Sequence, residues 1–387
     1  MRAFYVNGLL RALVFALVSI FTPVYVYTRG EIIWGGVRGG LLAVAVFFLA
    51  QRLLIMLLAI PASKIIERIG FRRSIGISVI LCIFYMAFLI FAKNNFAYIW
   101  VATVLLAINV PFYWIARDSA ISQDAPAKEM GKDLAGIATL EKIAGMAGPF
   151  VAGVIVEVWG FRALFTVALV LLLISAIPVM WMPHHTHKNG VSLQGFWLWV
   201  SGRRYFHHAA ASVGQAMEDY GLTAIWPLAL FLVGFKAGTL GMVFSLTAMV
   251  TMVVQLFSGI LFDKLRGKKA LGGEIVFGVA TVATSLAWIA RLFVFMVIPV
   301  VIVDTIGQFF QTIYYSFQSD YFHLGGKRMG SIAFWVYNEI MYSLAAVLLF
   351  SLMVVGIYFE VWKPLLFLTI AWWVLVSVVQ ARETNLK

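Results

Sequence analysis

Apolar stretches long enough to cross about 30 Å of hydrocarbon succeed one another along almost the whole chain, and no other feature restricts its fold as much. They fall near residues 6–28, 34–62, 72–92, 96–117, 134–158 and 162–182. A second set lies near 204–232, 237–262, 271–291, 293–318, 330–356 and 360–380. Within a bilayer each backbone N–H and C=O must be satisfied internally, so runs of this length are helices. The expectation is an all-α polytopic membrane protein with twelve transmembrane helices as two six-helix bundles. The bundles would cover residues 1–182 and 204–387, joined by a linker over 183–203 that is too short for a folded domain.

Composition agrees. Of 387 residues 63% are hydrophobic and 12% charged, against about 25% charged in soluble domains, so lipid is the main solvent. The net charge of +12 is scattered between apolar runs and does not gather on a soluble face, which argues against nucleic acid as a partner. Bases near span ends are strongly asymmetric. One side holds Arg2, Lys64, Arg68, Arg72, Arg73, Lys128, Lys132, Lys188, Arg203, Arg204 and others, while Arg29, Arg38, Lys93, Arg162, Lys236, Arg291 and Lys363 lie on the opposite side. By the positive-inside rule both termini and the linker are cytoplasmic, in a plasma or inner membrane. The first stretch lacks a small-residue cleavage pattern and reads as a retained span.

Several function classes are disfavoured. No Gly-x-x-x-x-Gly-Lys-Ser/Thr phosphate loop is present, so ion gradients are the expected energy source in place of ATP, and no cofactor is expected. The lone Cys82 supports no thiolate cluster, and His184, His185, His187, His207 and His208 around the linker lack a carboxylate or thiol to complete a metal site. Neither His-Glu-x-x-His nor Gly-x-Ser-x-Gly occurs, so an intramembrane enzyme is not expected.

Two loops are variants of one pattern. The second-to-third loop runs from Ser63 and Lys64 through Glu67, Arg68, Gly70, Arg72 and Arg73; the eighth-to-ninth runs from Gly259 through Asp263, Lys264, Gly267, Lys268 and Lys269. Each sets an acid then a base at a helix end, a glycine at the turn and a basic pair at the next helix, which points to internal duplication. This pattern resembles the signature loop of the major facilitator superfamily, with Ser63 and Glu67 departing from its glycine and aspartate. Gly148-Pro149-Phe150-Val151-Ala152-Gly153, followed by Trp159-Gly160-Phe161-Arg162, resembles that family's fifth span and the start of its sixth. The resemblance implies two bundles rocking about a midplane site. Read from the residues, the loop acids pair with nearby bases or a helix N-terminus in one state and separate in another. That cytoplasmic latch comprises Glu67, Arg68, Gly70, Arg72 and Arg73, with Arg117 and Asp118, and Asp263, Lys264, Gly267 and Lys268. Ordinary positive-inside loops are the plainer reading.

An ionisable side chain deep in a bilayer is costly and usually faces the bundle interior or a wet cavity. Spans two, five, seven, ten and eleven carry Arg52, Glu141 with Lys142, Glu218 with Asp219, Asp304, and Glu339. In the tenth, Asp304, Gln308, Gln311, Tyr315 and Gln318 recur at helical spacing as one polar face. The seventh offers Gln215, Asp219, Thr223 and Trp226 on one face, and the eleventh Trp335, Asn338, Glu339 and Tyr342. Arg11, Asn109 and Trp114 complete the candidates from the first bundle. Glu141 with Lys142, and Arg117 with Asp118, could simply neutralise each other. Arg52 and Asp304 have no counter-ion on their own helix turn, so each needs a partner across the cavity.

These residues predict a monomeric secondary carrier of a small organic solute working by alternating access, proton-coupled through one of Glu218, Asp219, Asp304 or Glu339. Acids beside aromatic rings in the second bundle favour export of amphiphilic or cationic compounds. Arg11 and Arg52 would instead suit uptake of a carboxylate, and the amides a sugar; a channel or non-transporting receptor is a further alternative.

Overall fold

The computed structural model describes the backbone of residues 2–124, 130–182, 191–202, 206–266, 271–329 and 331–377, and the side chains outside 1–5, 121–143, 183–190, 203–207, 253–274, 316–331 and 378–387. Among the described residues every regular element is helical. In chain order these are α1 (Arg2–Val18), α2 (Phe21–Trp34), α3 (Gly36–Ile69), α4 (Phe71–Phe91), α5 (Ala97–Asp124), α6 (Met130–Val179) and α7 (Leu193–Ser201). There follow α8 (Phe206–Tyr220), a π-helical turn (Gly221–Ile225), α9 (Trp226–Leu232), α10 (Ala237–Arg266), α11 (Leu271–Ala290), α12 (Val297–Met329), α13 (Ser331–Tyr358) and α14 (Trp362–Val376).

Seven described stretches are long and apolar enough to cross a membrane, and Ala237–Met252, Ile275–Ala290 and Trp362–Val376 are shorter apolar helices. One of the seven, Ala144–Val179, holds two expected spans merged by a reversal at Gly160, whose φ of 79° is open to a residue without Cβ. The first expected span is broken at Ser19 and Ile20 into α1 and α2, and the seventh is split by the π-turn. Counted this way, the helix order is consistent with twelve passes.

Helices of the first half of the chain (α1–α6) meet those of the second half (α8–α14) mainly where α3 runs beside α13 and α6 beside α10. The α6–α10 seam is made by missing side chains. A Cβ on Gly153 would lie 2.7 Å from the Ala237 carbonyl oxygen and 3.1 Å from the Gly241 Cα, so only glycine lets these backbones touch. Phe48 of α3 stacks on Phe350 of α13 at 4.9 Å, and Tyr27 meets Phe231 at 5.9 Å. These apolar contacts close the end of the molecule away from α7.

Candidate functional site

A cavity of about 660 Å³ opens between the two halves of the chain, walled by α1–α5 on one side and by α8, the π-turn, α12 and α13 on the other. Its wall extends from Phe48 to Trp114, Arg117 and Asp118 near the end of α5 and to Gln215 and Trp335 near the starts of α8 and α13. Those ends lie on the α7 side of the molecule.

Arg52 sits at the middle of the 34-residue α3, too deep for its side chain to reach water at either end. Its Nη1 meets Glu339 Oε1 of α13 at 3.0 Å and lies 3.4 Å from Ser343 Oγ. The guanidinium also lies over Tyr220 and Tyr342 at 4.7 and 5.1 Å. The counter-ion that Arg52 needs therefore comes from the other half of the chain, across the cavity.

Asp219 occupies the last turn of α8. It accepts hydrogen bonds from the Tyr315 hydroxyl at 2.5 Å and the Tyr342 hydroxyl at 2.9 Å. Both donors are neutral, and among the described residues no base forms an ion pair with it. Tyr342 touches both centres, donating to Asp219 while its ring lies under Arg52. Just beyond Asp219 the helix slips into its π-turn, where Thr223 Oγ1 donates to the Asp219 carbonyl at 2.6 Å and Gly221 lets the Trp288 ring approach the backbone. Such π-bulges mark functional positions more often than ordinary helix does.

At the mouth Arg117 lies 5.0 Å from the Trp114 ring and 3.8 Å from Asp118, a loose pair on adjacent residues. Trp335 and Asn338 line the α13 wall, where Asn338 accepts a hydrogen bond from Ser212.

The remaining expected site residues lie elsewhere. Arg11 is buried inside the first half, giving hydrogen bonds to Asn109 at 2.7 Å and Ser78 at 3.1 Å with Tyr113 stacked 3.6 Å away. Glu218, next to Asp219 but turned away from the cavity, accepts from Trp288 Nε1. Asp304 is bound at 2.8 Å by both Arg291 Nε and Trp226 Nε1, with the Arg291 and Asp304 side chains each 1% exposed. Its partner thus comes from the end of α11 inside the same half, not from across the cavity. Gln308 and Gln311 are on α12 outside the cavity wall, while Tyr315 of the same stripe reaches it. The side chains of Glu141, Asp263 and Lys264, and residues Gly267 and Lys268, lie outside the described residues. Of the other latch candidates, Gly70 makes the α3–α4 turn at φ 83°, Arg68 and Arg73 are exposed, and Glu67 and Arg72 are partly covered.

Sequence reasoning assigned no role to Tyr220 or Trp288 and counted Arg291 only among the bases at span ends. Arg291 carried a signal that was available: a lone base flanked by Ala290 and by Leu292-Phe293 in an apolar chain needs an acid, and Asp304 is the nearest one following it. No group of three or more His, Cys, Asp or Glu placed to hold a metal occurs among the described residues.

An all-helical polytopic membrane protein with a charged cavity between its two chain halves is the class that this fold and site define. The chain matches the Major Facilitator Superfamily over residues 7–350 and belongs to that family. Similar solved structures include the POT family transporter PepTSo, at 9% identity and TM-score 0.77 with 100% of this chain and 98% of that one covered. The E. coli fucose:proton symporter aligns at 13% identity and TM-score 0.67, covering 98% and 97%. The human organic anion transporter MFSD10 aligns at 12% and 0.67, covering 98% of each chain. At such identities the likeness is one of fold. No curated protein matches the sequence significantly.

Proposed function

We propose that the chain is a proton-coupled secondary transporter that moves a small, positively charged or amphiphilic organic solute through the central cavity by alternating access. The observation that carries this reading is the charge balance at the centre. Arg52 is ion-paired with Glu339, whereas Asp219, among the described residues, accepts hydrogen bonds from two neutral phenols and forms no ion pair. An unmatched carboxylate in a largely apolar cavity is stabilised by one positive charge, supplied either by a proton or by a solute ammonium group. Alternate occupancy by the two would exchange them, giving export where the proton gradient points inward. The fold likeness to a fucose:proton symporter supports proton coupling but carries no direction.

With both termini cytoplasmic, as the base distribution predicts, the cavity faces the cytoplasm and the α6–α10 seam closes the opposite side.

A second reading rests on the same ion pair. If a proton neutralises Glu339, Arg52 is released to hold a solute carboxylate, which makes the protein a proton symporter of an organic acid.

Thermal unfolding of the purified protein with tetraphenylphosphonium, with a simple sugar and with benzoate separates these readings, because a ligand of the native state raises the midpoint. Stabilisation by the cation that is lost in Asp219→Asn supports exchange. Stabilisation by benzoate that is lost in Arg52→Ala supports symport. Solute flux into vesicles that ignores an imposed pH gradient would remove proton coupling from both.

A further inference from the structure

Apart from Gln194 and Ser201 the linker helix α7 is apolar, and protein covers only one face of it. Phe196 and Trp199 are 7% and 1% exposed. They pack on α13, Trp199 meeting Phe334 at 6.4 Å and Tyr337 at 5.9 Å, and Phe196 meeting Tyr337 at 5.8 Å. At about 100° per residue, Leu193, Trp197 and Leu198 project from the opposite face. They are 60%, 62% and 66% exposed. Only Gln194 and Ser201 are polar there, and Ser201 turns its hydroxyl back to the Trp197 carbonyl. Three large apolar side chains exposed together on one short helix mark a surface that something covers.

We propose that the outer face of α7 lies in the headgroup–acyl boundary of the bilayer, making the linker a membrane-surface anchor. Its depth supports this. The covered face shares one hydrophobic cluster with Val179 and Met182, where α6 ends, and with Ile332 and Phe334, where α13 begins. Those are the levels at which two spans leave the hydrocarbon, so α7 lies at the same height, beside lipid. Lys188, Arg203 and Arg204 flank it in sequence, matching the negative surface of a bilayer.

The anchor is tied to the cavity through one residue. Ser192 caps α7, accepting from the Gly195 N–H at 3.0 Å. The Tyr337 hydroxyl donates to the Ser192 carbonyl at 3.1 Å and accepts from the Ser192 N–H at 3.4 Å. Tyr337 stands two residues before Glu339, so the bilayer surface holds the helix that carries the Arg52 ion pair.

Nitroxide labels at positions 193, 197 and 198, introduced singly in a Cys82→Ser background, test the proposal in the full chain reconstituted into phosphatidylcholine–phosphatidylglycerol vesicles. A label at lipid-facing Leu57 of α3 gives the hydrocarbon reference and confirms the fold, and one at the exposed loop residue Asn94 gives the water reference. The expected result is that oxygen collides with all three α7 labels several-fold more often than a water-soluble nickel chelate does, with ratios between the two references. Preference for the chelate, placing the face in water, would overturn the proposal. So would exclusion of both quenchers, which would mean that a protein or a second copy covers it. Using three sites keeps the outcome independent of losing the Trp197 indole.

Discussion

Arg52 and Glu339, 287 residues apart in sequence, meet at 3.0 Å across the boundary between the two halves of the chain. Among the described residues neither forms an ion pair within its own half, so each would lose its partner if α3 and α13 parted. Arg52→Glu and Glu339→Arg should each lower the thermal midpoint, and the exchanged double variant should recover most of the loss. Double-mutant analysis should return a coupling of about 0.5–3 kcal/mol, the range for residues in direct contact. Additive losses would mean that the pair contributes nothing to holding the halves.

The Arg291–Asp304 pair should behave differently because it lies within one half and away from the cavity wall. Asp304→Asn removes the carboxylate that pairs directly with the buried Arg291 guanidinium, at a cost of about 3–5 kcal/mol. Replacing both, as Arg291→Met with Asp304→Leu, should return stability close to that of the parent. Ligand-induced stabilisation should survive in the double variant, measured as the shift in unfolding midpoint, whereas a cavity residue would abolish it.

Asp219 sets the charge of the cavity. Asp219→Asn removes that charge while keeping hydrogen-bonding capacity toward Tyr315 and Tyr342. Flux driven by a pH gradient should fall at least about tenfold, a barrier change of ~1.4 kcal/mol, while the unfolding midpoint moves by little. Glu218→Gln should show the reverse pattern, with stability affected more than flux, because Glu218 faces Trp288 and not the cavity.

The order of the helices was legible from hydropathy because length and apolar content decide what can span a bilayer. So was the need of Arg52 for a distant acid, since its own helix offers none. The identity of that acid was not legible: Asp219, Asp304, Glu218 and Glu339 are chemically equivalent from sequence, and only packing turns Glu339 and Asp219 inward while Trp288, Trp226 and Arg291 claim the other two. Arg291 was misread for a related reason. Its position at a span end matches a solvated loop base, yet the helix turns its side chain back into the bundle. The α7 anchor escaped notice because Leu193–Ser201 is far too short to span, and span length was the criterion that organised the rest.

The glycine seam gives a steric prediction. At Gly153 a Cβ would press on the Ala237 carbonyl and the Gly241 Cα, both backbone atoms that cannot rotate away. Gly153→Leu should therefore push α6 from α10 and cost about 1–3 kcal/mol, the usual range for overpacking. Gly153→Ala should cost less than the leucine variant. Unfolding midpoints of the two variants check the order, and equal midpoints would mean that the seam is not tight.

At the far end of the same seam Glu157 of α6 accepts the Gly238 N–H of α10 at 2.8 Å, so a carboxylate from one half caps a helix N-terminus in the other. Negative charge there is favoured by the unpaired N–H groups and the helix dipole. The approach requires glycine, because a Cβ at position 238 would occupy the carboxylate's place. The site is exposed, so the contribution should be only a few tenths of a kcal/mol, about the lower end of the range for surface charges at helix ends. Protein stability should therefore barely register Glu157→Gln. The balance between conformations is more sensitive, since a difference of that size changes a two-state ratio by about twofold. A cysteine at Phe48, beneath the closed end, should be modified by a membrane-impermeant maleimide about twice as fast in Glu157→Gln as in the parent. Equal labelling in both proteins would show that the cap does not hold this end shut.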